Sequence, residues 1–212
     1  VSAVERGNRR DDILAQAAEL FAERGVSATT VRQIADRVGM LSGSLYHHFV
    51  SKEVIAEEIV ISYLDDLRES YRSLSERKLA PLDMLRELVL SSFDVAADHP
   101  HAVEVYQNEG AFLATVPRHK HIETVAKEIH AFWADVIDAG VTSGQLRSDI
   151  SPRLFHRLLR DAVWLSPRWY RPSKQYTHTQ LAEDVLAVFV EGFAVDTRRA
   201  GRGSVRPVGA SR

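Results

Sequence analysis

The sequence predicts an all-α protein: an N-terminal three-helix domain of helix-turn-helix type followed by a larger helical domain. Three observations carry that prediction. Apolar residues recur at intervals of three and four almost throughout. No alternating run of Val, Ile or Thr is closed by an Asn-Gly or Asp-Gly turn. Helix punctuation (Gly, Pro and Ser or Thr caps) falls between the apolar stripes. With 212 residues, 45% of them apolar and 26% charged, the chain can bury one large core or two small ones sharing an interior.

Each element is justified by its own pattern. Ile13, Leu14, Ala17, Ala18 and Phe21 form one stripe that Gly25 stops. Thr29 and Thr30 cap a short helix carrying Val31, Ile34, Ala35 and Val38, which Gly39 ends. A third short helix runs through Leu45 to about His48. Ser51 caps the next, long helix, whose stripe is Val54, Ile55, Ile59, Leu64, Leu67 and Tyr71. Further helices are expected over 81–97, 101–115, 120–139, 152–165 and 179–197, the breaks at 98–100, 116–118, 140–150 and 166–176 holding Pro, Gly or polar clusters. The last helix, with Leu181, Val185, Leu186, Val188, Phe189, Val190 and Phe193, is apolar around much of its circumference, so one face is assigned to the chain itself and another to a partner. Residues 197–212 hold five arginines, three glycines and no acid, and are expected to be a disordered basic tail. We therefore divide the chain into a helix-turn-helix DNA-binding domain over 1–53, with residues 1–8 a flexible arm, and a ligand-binding and dimerisation domain over 54–196.

Composition removes several classes of function. No apolar run approaches the roughly 18–20 residues of a membrane span, the longest candidate being 185–190 beside Asp184. Charged residues from Arg6 to Asp12 stand where a secretory signal would place its apolar stretch, so a cytoplasmic location is expected. Without cysteine there is no disulfide framework, thiolate nucleophile or zinc-thiolate cluster. The net charge of −2 argues against coating nucleic acid by bulk positive charge, and leaves specific binding by a small surface open.

The most specific signal lies between Thr29 and Phe49. Two short helices that cross closely need a small residue at the crossing and a glycine where the backbone turns left-handed, and Ala35 and Gly39 have that spacing. In Ser42-Gly43-Ser44-Leu45-Tyr46-His47-His48-Phe49, Leu45 and Phe49 are four apart and form the buried anchor. Ser42, Gly43, Ser44, Tyr46, His47 and His48 are left to face outward. Gly43 admits a phosphate close to backbone, Tyr46 and the serines can donate to phosphates, and His47 can reach base edges in a major groove. For His48, core packing competes with DNA contact. Residues 1–53 hold seven Lys or Arg and seven acids, so this head is formally neutral; capped helix N-termini with Lys52 beside one of them would supply the attraction instead.

Thr29-Thr30-Val31-Arg32-Gln33-Ile34-Ala35, Gly43 to Phe49 and Ser51-Lys52-Glu53 resemble the TetR family of one-component transcriptional repressors over the first sixty or so residues. The resemblance implies an Ω-shaped helical homodimer whose C-terminal pocket controls the spacing of two DNA-binding heads. On that pattern Thr30, Tyr46 and Lys52 would hold phosphates, while Ser42, Gly43, Ser44 and His47 would lie at the groove with Arg32 nearby. The family usually has Ser or Thr where this chain has Leu41, so Ser42 is expected to supply the cap.

In the second domain Arg160 and Trp164 are four apart on one helix face, with Arg157 one turn earlier. A cation beside a flat ring suits a ligand joining an acidic group to an apolar body. Arg168, Trp169, Tyr170 and Arg171 extend this chemistry, and Tyr106, Gln107, Glu109 and Phe112 offer pocket walls. The competing role for these helices is the dimer interface, which is the role expected of Trp169 unless it packs in the core. Leu41 to Phe49, Val105-Tyr106-Gln107-Asn108-Glu109, and Arg160-Asp161 through Trp164 to Pro172 together resemble the KstR-type repressors of cholesterol catabolism, above all those governing the steroid C and D rings. That resemblance implies an inducer that is a CoA thioester of a bicyclic steroid remnant, held by Arg157, Arg160 and Trp164 with Arg168 or Arg171 available to phosphates.

Three rival readings compete with this one. A TetR-type regulator of another lipid or drug-efflux pathway would share the head. An enzyme would draw on His99 with His101 and His119 with His121, but His-x-His on a helix points the rings about 200° apart, and no nucleophile elbow, P-loop, dinucleotide fingerprint or His-Glu-x-x-His occurs. Those histidines are expected to be solvated; no metal, no catalytic residue and no cofactor is assigned. A lipid carrier without DNA function would leave Ala35, Gly39, Tyr46 and Lys52 unexplained.

Overall fold

The computed structural model describes residues 3–99, 101–166, 169–171 and 173–192, with side chains from residue 9 onward. The head is built from α1 (Ala3–Arg24), α2 (Val31–Arg37) and α3 (Ser42–Leu45). The body follows with α4 (Lys52–Ser75), α5 (Pro81–Asp98), α6 (Ala102–Asn108), α7 (Gly110–Leu113), α8 (His119–Thr142), α9 (Pro152–Trp164) and α10 (His178–Leu186). A π turn over Ala187–Glu191 extends α10. Among the described residues there is no strand, and no helix is long and apolar enough to cross a membrane.

α4 is the spine. Its 24 residues, about 36 Å at helical rise, pack against α1, α5, α6 and α8, so that head and body share one interior. Ile55, Ile59, Leu64, Leu67 and Tyr71 are buried along it, as the stripe predicted. At its centre lies a closed polar chain. The Trp133 indole donates to the Tyr71 hydroxyl (3.1 Å), Tyr71 donates to Ser92, and Ser92 donates to the Leu88 carbonyl (2.6 Å). Every member is satisfied, so the chain fixes the register of α4, α5 and α8 without an orphan.

Three boundaries depart from expectation. Residues 3–8, assigned to an arm, are already helical in α1. The next turn anchors them: Arg9 donates to the Val38 carbonyl (2.7 Å), and Arg10 donates to the His48 carbonyl (2.6 Å), pairs with Glu58, and lies 4.0 Å above the Phe49 ring. A helix fixed there extends backwards at little cost. The single helix expected over 101–115 is broken at Glu109 (φ −106°, ψ 26°) into α6 and α7. The last helix begins earlier than read, at His178, because Thr177 and Gln180 form a reciprocal capping box. Residues 193–212, with the expected basic tail, lie outside the described residues.

Candidate functional site

The head presents the surface that its spacing required. Ala35 is fully buried at the α1–α2–α3 crossing, and Gly39 has φ +67°, a conformation costly for any residue with a side chain. Leu45 and Phe49 are buried, anchoring the α3 segment. Tyr46 is 53% exposed, Gly43 and His47 are exposed, and Ser42 and Ser44 are partly so. His48 is half-buried, between its two expected roles. Leu41 and Val50, 79% and 76% exposed, bracket this face with apolar surface. Leu41 itself occupies the cap position of α3 with no side-chain bond, and Ser42 is the first helical residue. The expectation that Ser42 caps the helix is therefore corrected: placed one residue inside, its hydroxyl is off the cap position.

Several arginines of the head are held by acids. Arg37 pairs with Glu19 (3.2 Å) and Glu23 (3.5 Å), Arg9 with Asp12 (3.2 Å), and Arg10 with Glu58. Arg32 is exposed and stands 3.8 Å from Asp36. Thr30 caps α2: its hydroxyl accepts from the Gln33 amide (3.2 Å) and donates to the Gln33 carboxamide oxygen (3.0 Å). Lys52 differs from its expected role. Its ammonium donates to the carbonyls of Val26 (2.8 Å), Ser27 (3.1 Å) and Thr29 (2.8 Å), so all three of its protons hold the loop between α1 and α2. In this arrangement Lys52 shapes the head rather than facing phosphate.

That loop is also gripped from the body. The Glu109 carboxylate accepts from the Val26 amide (3.3 Å) and stands where a Cβ on Gly25 (φ +83°) would touch it at 3.0 Å. Glu57, buried on α4, accepts from the Arg118 amide and side chain.

The second site lies among α6, α8 and α9. A cavity of about 440 Å³ is lined by Tyr106, Gln107, His130, Arg160, Asp161, Trp164 and Leu165. A neighbouring one of about 370 Å³ shares Tyr106 and His130 and is otherwise lined by Gly110, Leu113, Ala114, Ile122 and Ala126 together with His119, Glu123 and Lys127. Gln107 donates to the Trp164 carbonyl (2.6 Å), tying α6 to the end of α9. Tyr106 meets Trp164 edge to face at 6.2 Å, and His130 lies 5.7 Å from the Trp164 ring. Arg160 donates twice to Asp161 (3.0 and 2.7 Å). Burial raises the Tyr106 phenol above its ordinary value, against the pull of Arg160, and burial with the Arg160 charge lowers His130.

Of the predicted ligand residues, Tyr106, Gln107, Arg160 and Trp164 come together here. Arg157 is exposed and outside the lining: the four-residue ladder of this face is His156, Arg160 and Trp164, and Arg157 is rotated about 60° from its middle residue, Arg160. Phe112 packs against the core, and Leu113 takes the wall position instead. Arg168 lies outside the described residues, and Trp169 is 64% exposed, so the chain itself does not bury it. Sequence reasoning missed His130 and His156, although the spacing of His156 to Arg160 and Trp164 was a readable signal. His99, expected to be solvated, instead bonds Asp66 (2.7 Å) and edges onto Tyr63; His121 stands 3.4 Å from Asp65.

The family model of the tetR family of bacterial regulatory proteins matches residues 13–59, and that of the tetracyclin repressor-like C-terminal domain matches residues 78–193. The chain belongs to the TetR family. This TetR-family regulator is 42% identical over 185 residues to the HTH-type transcriptional repressor KstR2 of Mycobacterium tuberculosis (strain ATCC 25618 / H37Rv), covering 87% of this chain and 92% of that one. It is also 42% identical to KstR2 of Rhodococcus jostii (strain RHA1) over 89% and 93% of the two chains. The solved ketosteroid transcriptional regulator KstR2 of Mycobacterium tuberculosis superposes with a TM-score of 0.83 at 41% identity, over 89% of this chain and 96% of that one. At the level of fold alone it resembles AibR, solved with isovaleryl coenzyme A and operator DNA, with a TM-score of 0.73 at 23% identity over 85% and 97%. The TetR-family protein is thus a helix-turn-helix transcriptional repressor close to KstR2, and not an enzyme.

Proposed function

We propose that this repressor binds its operator as a homodimer and releases it when a CoA thioester of a steroid-ring catabolite occupies the α6–α8–α9 cavity. One observation carries the reading: Arg160 stands with Trp164, Tyr106 and Gln107 around a cavity whose neighbour is mainly apolar. A guanidinium at the mouth suits a polyanionic carrier, and the apolar lobe suits fused rings. The kinship with a ketosteroid regulator and the fold shared with a CoA-bound repressor support the same class of ligand.

For the dimer, the support is an apolar stripe on the outside of α9. Leu154, Leu158 and Leu165 follow one another at four and seven residues and are 50%, 50% and 36% exposed, with Val188 beyond the end of α10 72% exposed. A stripe of that kind on a soluble chain calls for a partner surface, and a second copy presents the same one. Two heads could then enter successive major grooves, about 34–36 Å apart. Ligand binding need only favour the spacing that fits DNA less well.

The test is operator binding followed by fluorescence anisotropy, using promoter DNA adjacent to the protein's own gene. CoA thioesters with fused-ring acyl groups are expected to release the DNA, whereas free CoA, fatty acids and sterols do not. Arg160→Ala and Trp164→Ala are expected to keep operator affinity and to raise the half-effective thioester concentration at least about tenfold, the loss of one charge-assisted or aromatic contact. Release by a free fatty acid or drug-like molecule instead would assign the protein to another TetR-regulated pathway. Absence of sequence-selective DNA binding would leave a helical lipid-binding protein.

A further inference from the structure

Three of the four buried side-chain polar atoms without a hydrogen-bond partner among the described residues collect in one place: His130 Nδ1, His156 Nε2 and Trp164 Nε1. His130 and His156 lie 5.7 Å apart, ring to ring, and His130 and Trp164 the same distance apart. Unpaired buried polar atoms are destabilising, and their concentration beside a cavity points to a ligand that completes them. The chemistry of that ligand group is restricted. An indole N–H only donates, so the completing atom is an acceptor. Burial and the neighbouring Arg160 charge lower His130, leaving a neutral imidazole that can add a second donor.

Position restricts it further. Tyr106 and His130 are the residues that both cavities share. A molecule spanning the two would place its apolar body against Leu113, Ile122 and Ala126, and its polar portion beside Arg160. Its junction would fall at His130 and Trp164. The rings of Tyr106 and His130 both pack on Trp164, and a molecule spanning the two cavities would have to part them.

We infer that His130 and the Trp164 indole N–H form a subsite that reads the thioester carbonyl, so that the cavity separates acyl thioesters from carbonyl-free thioethers of the same shape. The inference rests on the CoA-thioester reading given above. Isothermal titration of the full chain with cyclohexanecarbonyl-CoA and with its thioether counterpart, S-cyclohexylmethyl-CoA, tests both. The thioester is expected to bind about tenfold more tightly, the worth of one or two buried hydrogen bonds. In His130→Phe that ratio is expected to fall to between one and three. In His130→Gln, whose amide can still donate, part of it is expected to remain. Trp164→Phe, which keeps a ring and loses the N–H, provides a second variant should the first fail to unfold cooperatively. Equal affinity of the unmodified protein for the two probes, or an undiminished ratio in both His130→Phe and Trp164→Phe, overturns the carbonyl subsite while leaving CoA recognition standing. Failure of both probes to bind overturns the CoA reading itself, and the subsite with it.

Discussion

Lys52 carries its charge on the DNA-reading side of the molecule and turns it inward, onto the carbonyls of Val26, Ser27 and Thr29. This separates two kinds of residue that one motif places side by side. Tyr46, exposed and outward, is expected to contact phosphate: Tyr46→Phe should weaken binding to all DNA sequences alike by roughly 2–10-fold, one hydrogen bond. His47→Ala should change base preference instead, read by binding to a panel of substituted operators. Lys52→Met should lower the unfolding midpoint by several degrees, about 2 kcal/mol for the hydrogen bonds of a charged group. It should also leave the slope of log affinity against log salt unchanged, since no phosphate neutralisation is lost. A slope smaller by about one would return Lys52 to the phosphate backbone.

His156 makes a prediction of a different kind. Its ring lies nearly parallel to Trp133 (12°), and burial, with the charges of His130 and Arg160 adding to it and Asp161 opposing, pushes its pKa from 6.5 down to about 4. The unfolded chain therefore takes up this proton more readily than the folded one. The stability that depends on a neutral His156 is complete above pH 6.5, declines as pH falls toward about 4, and is gone below that. Thermal unfolding across this range should show a falling midpoint, and the difference between the unmodified protein and His156→Phe should be confined to that window.

At the scale of elements, the break at Glu109 links the two sites. α6 brings Tyr106 and Gln107 to the cavity, and its terminal Glu109 holds the Val26 amide in the loop that Lys52 also clamps. A shift of α6 is therefore expected to reach the loop that leads into α2. Glu109→Ala should speed hydrogen exchange at the Val26 amide and leave thioester affinity within about twofold. It should also shrink the ratio of operator affinities without and with saturating ligand, which for a coupled pair of sites is about 5–150-fold. An unchanged ratio would place the coupling elsewhere.

The same elements show what could be read in the sequence. Gly39, Pro81 and Pro152 act locally, and the helices they bound ran as their spacing indicated. The split at Glu109 coincides with a contact to a partner 83 residues away, and Gly110 was its only local sign. Lys52 likewise satisfies carbonyls 23 to 26 residues upstream, which no motif encodes. In the cavity, Arg160 and Trp164 were legible from spacing on one helix, whereas His130 belongs to another helix and joins them only through packing. Arg157 was misplaced because a three-residue separation leaves the face by about 60°, enough to put it in water.

For the whole molecule, the apolar stripe on α9 decides whether one chain can act alone. Leu158 is half-exposed at its middle, between Leu154 and Leu165. Covering such side chains is worth about 1.5–3 kcal/mol each, at full burial, and a stable homodimer buries roughly 1,200–2,000 Å² in all. A charge at the centre of that stripe would have to be desolvated twice across a two-fold interface, because each substituted residue lies near its symmetry mate's surface. Leu158→Glu should therefore give a monomer by sedimentation velocity, where the unmodified protein is expected to give a dimer. The unmodified protein's unfolding midpoint should rise with protein concentration, and the variant's should not. Because a single head makes half the contacts, operator affinity should fall by at least about a hundredfold, the order of the gain from linking two binding modules. A variant that remains dimeric would move the interface away from α9.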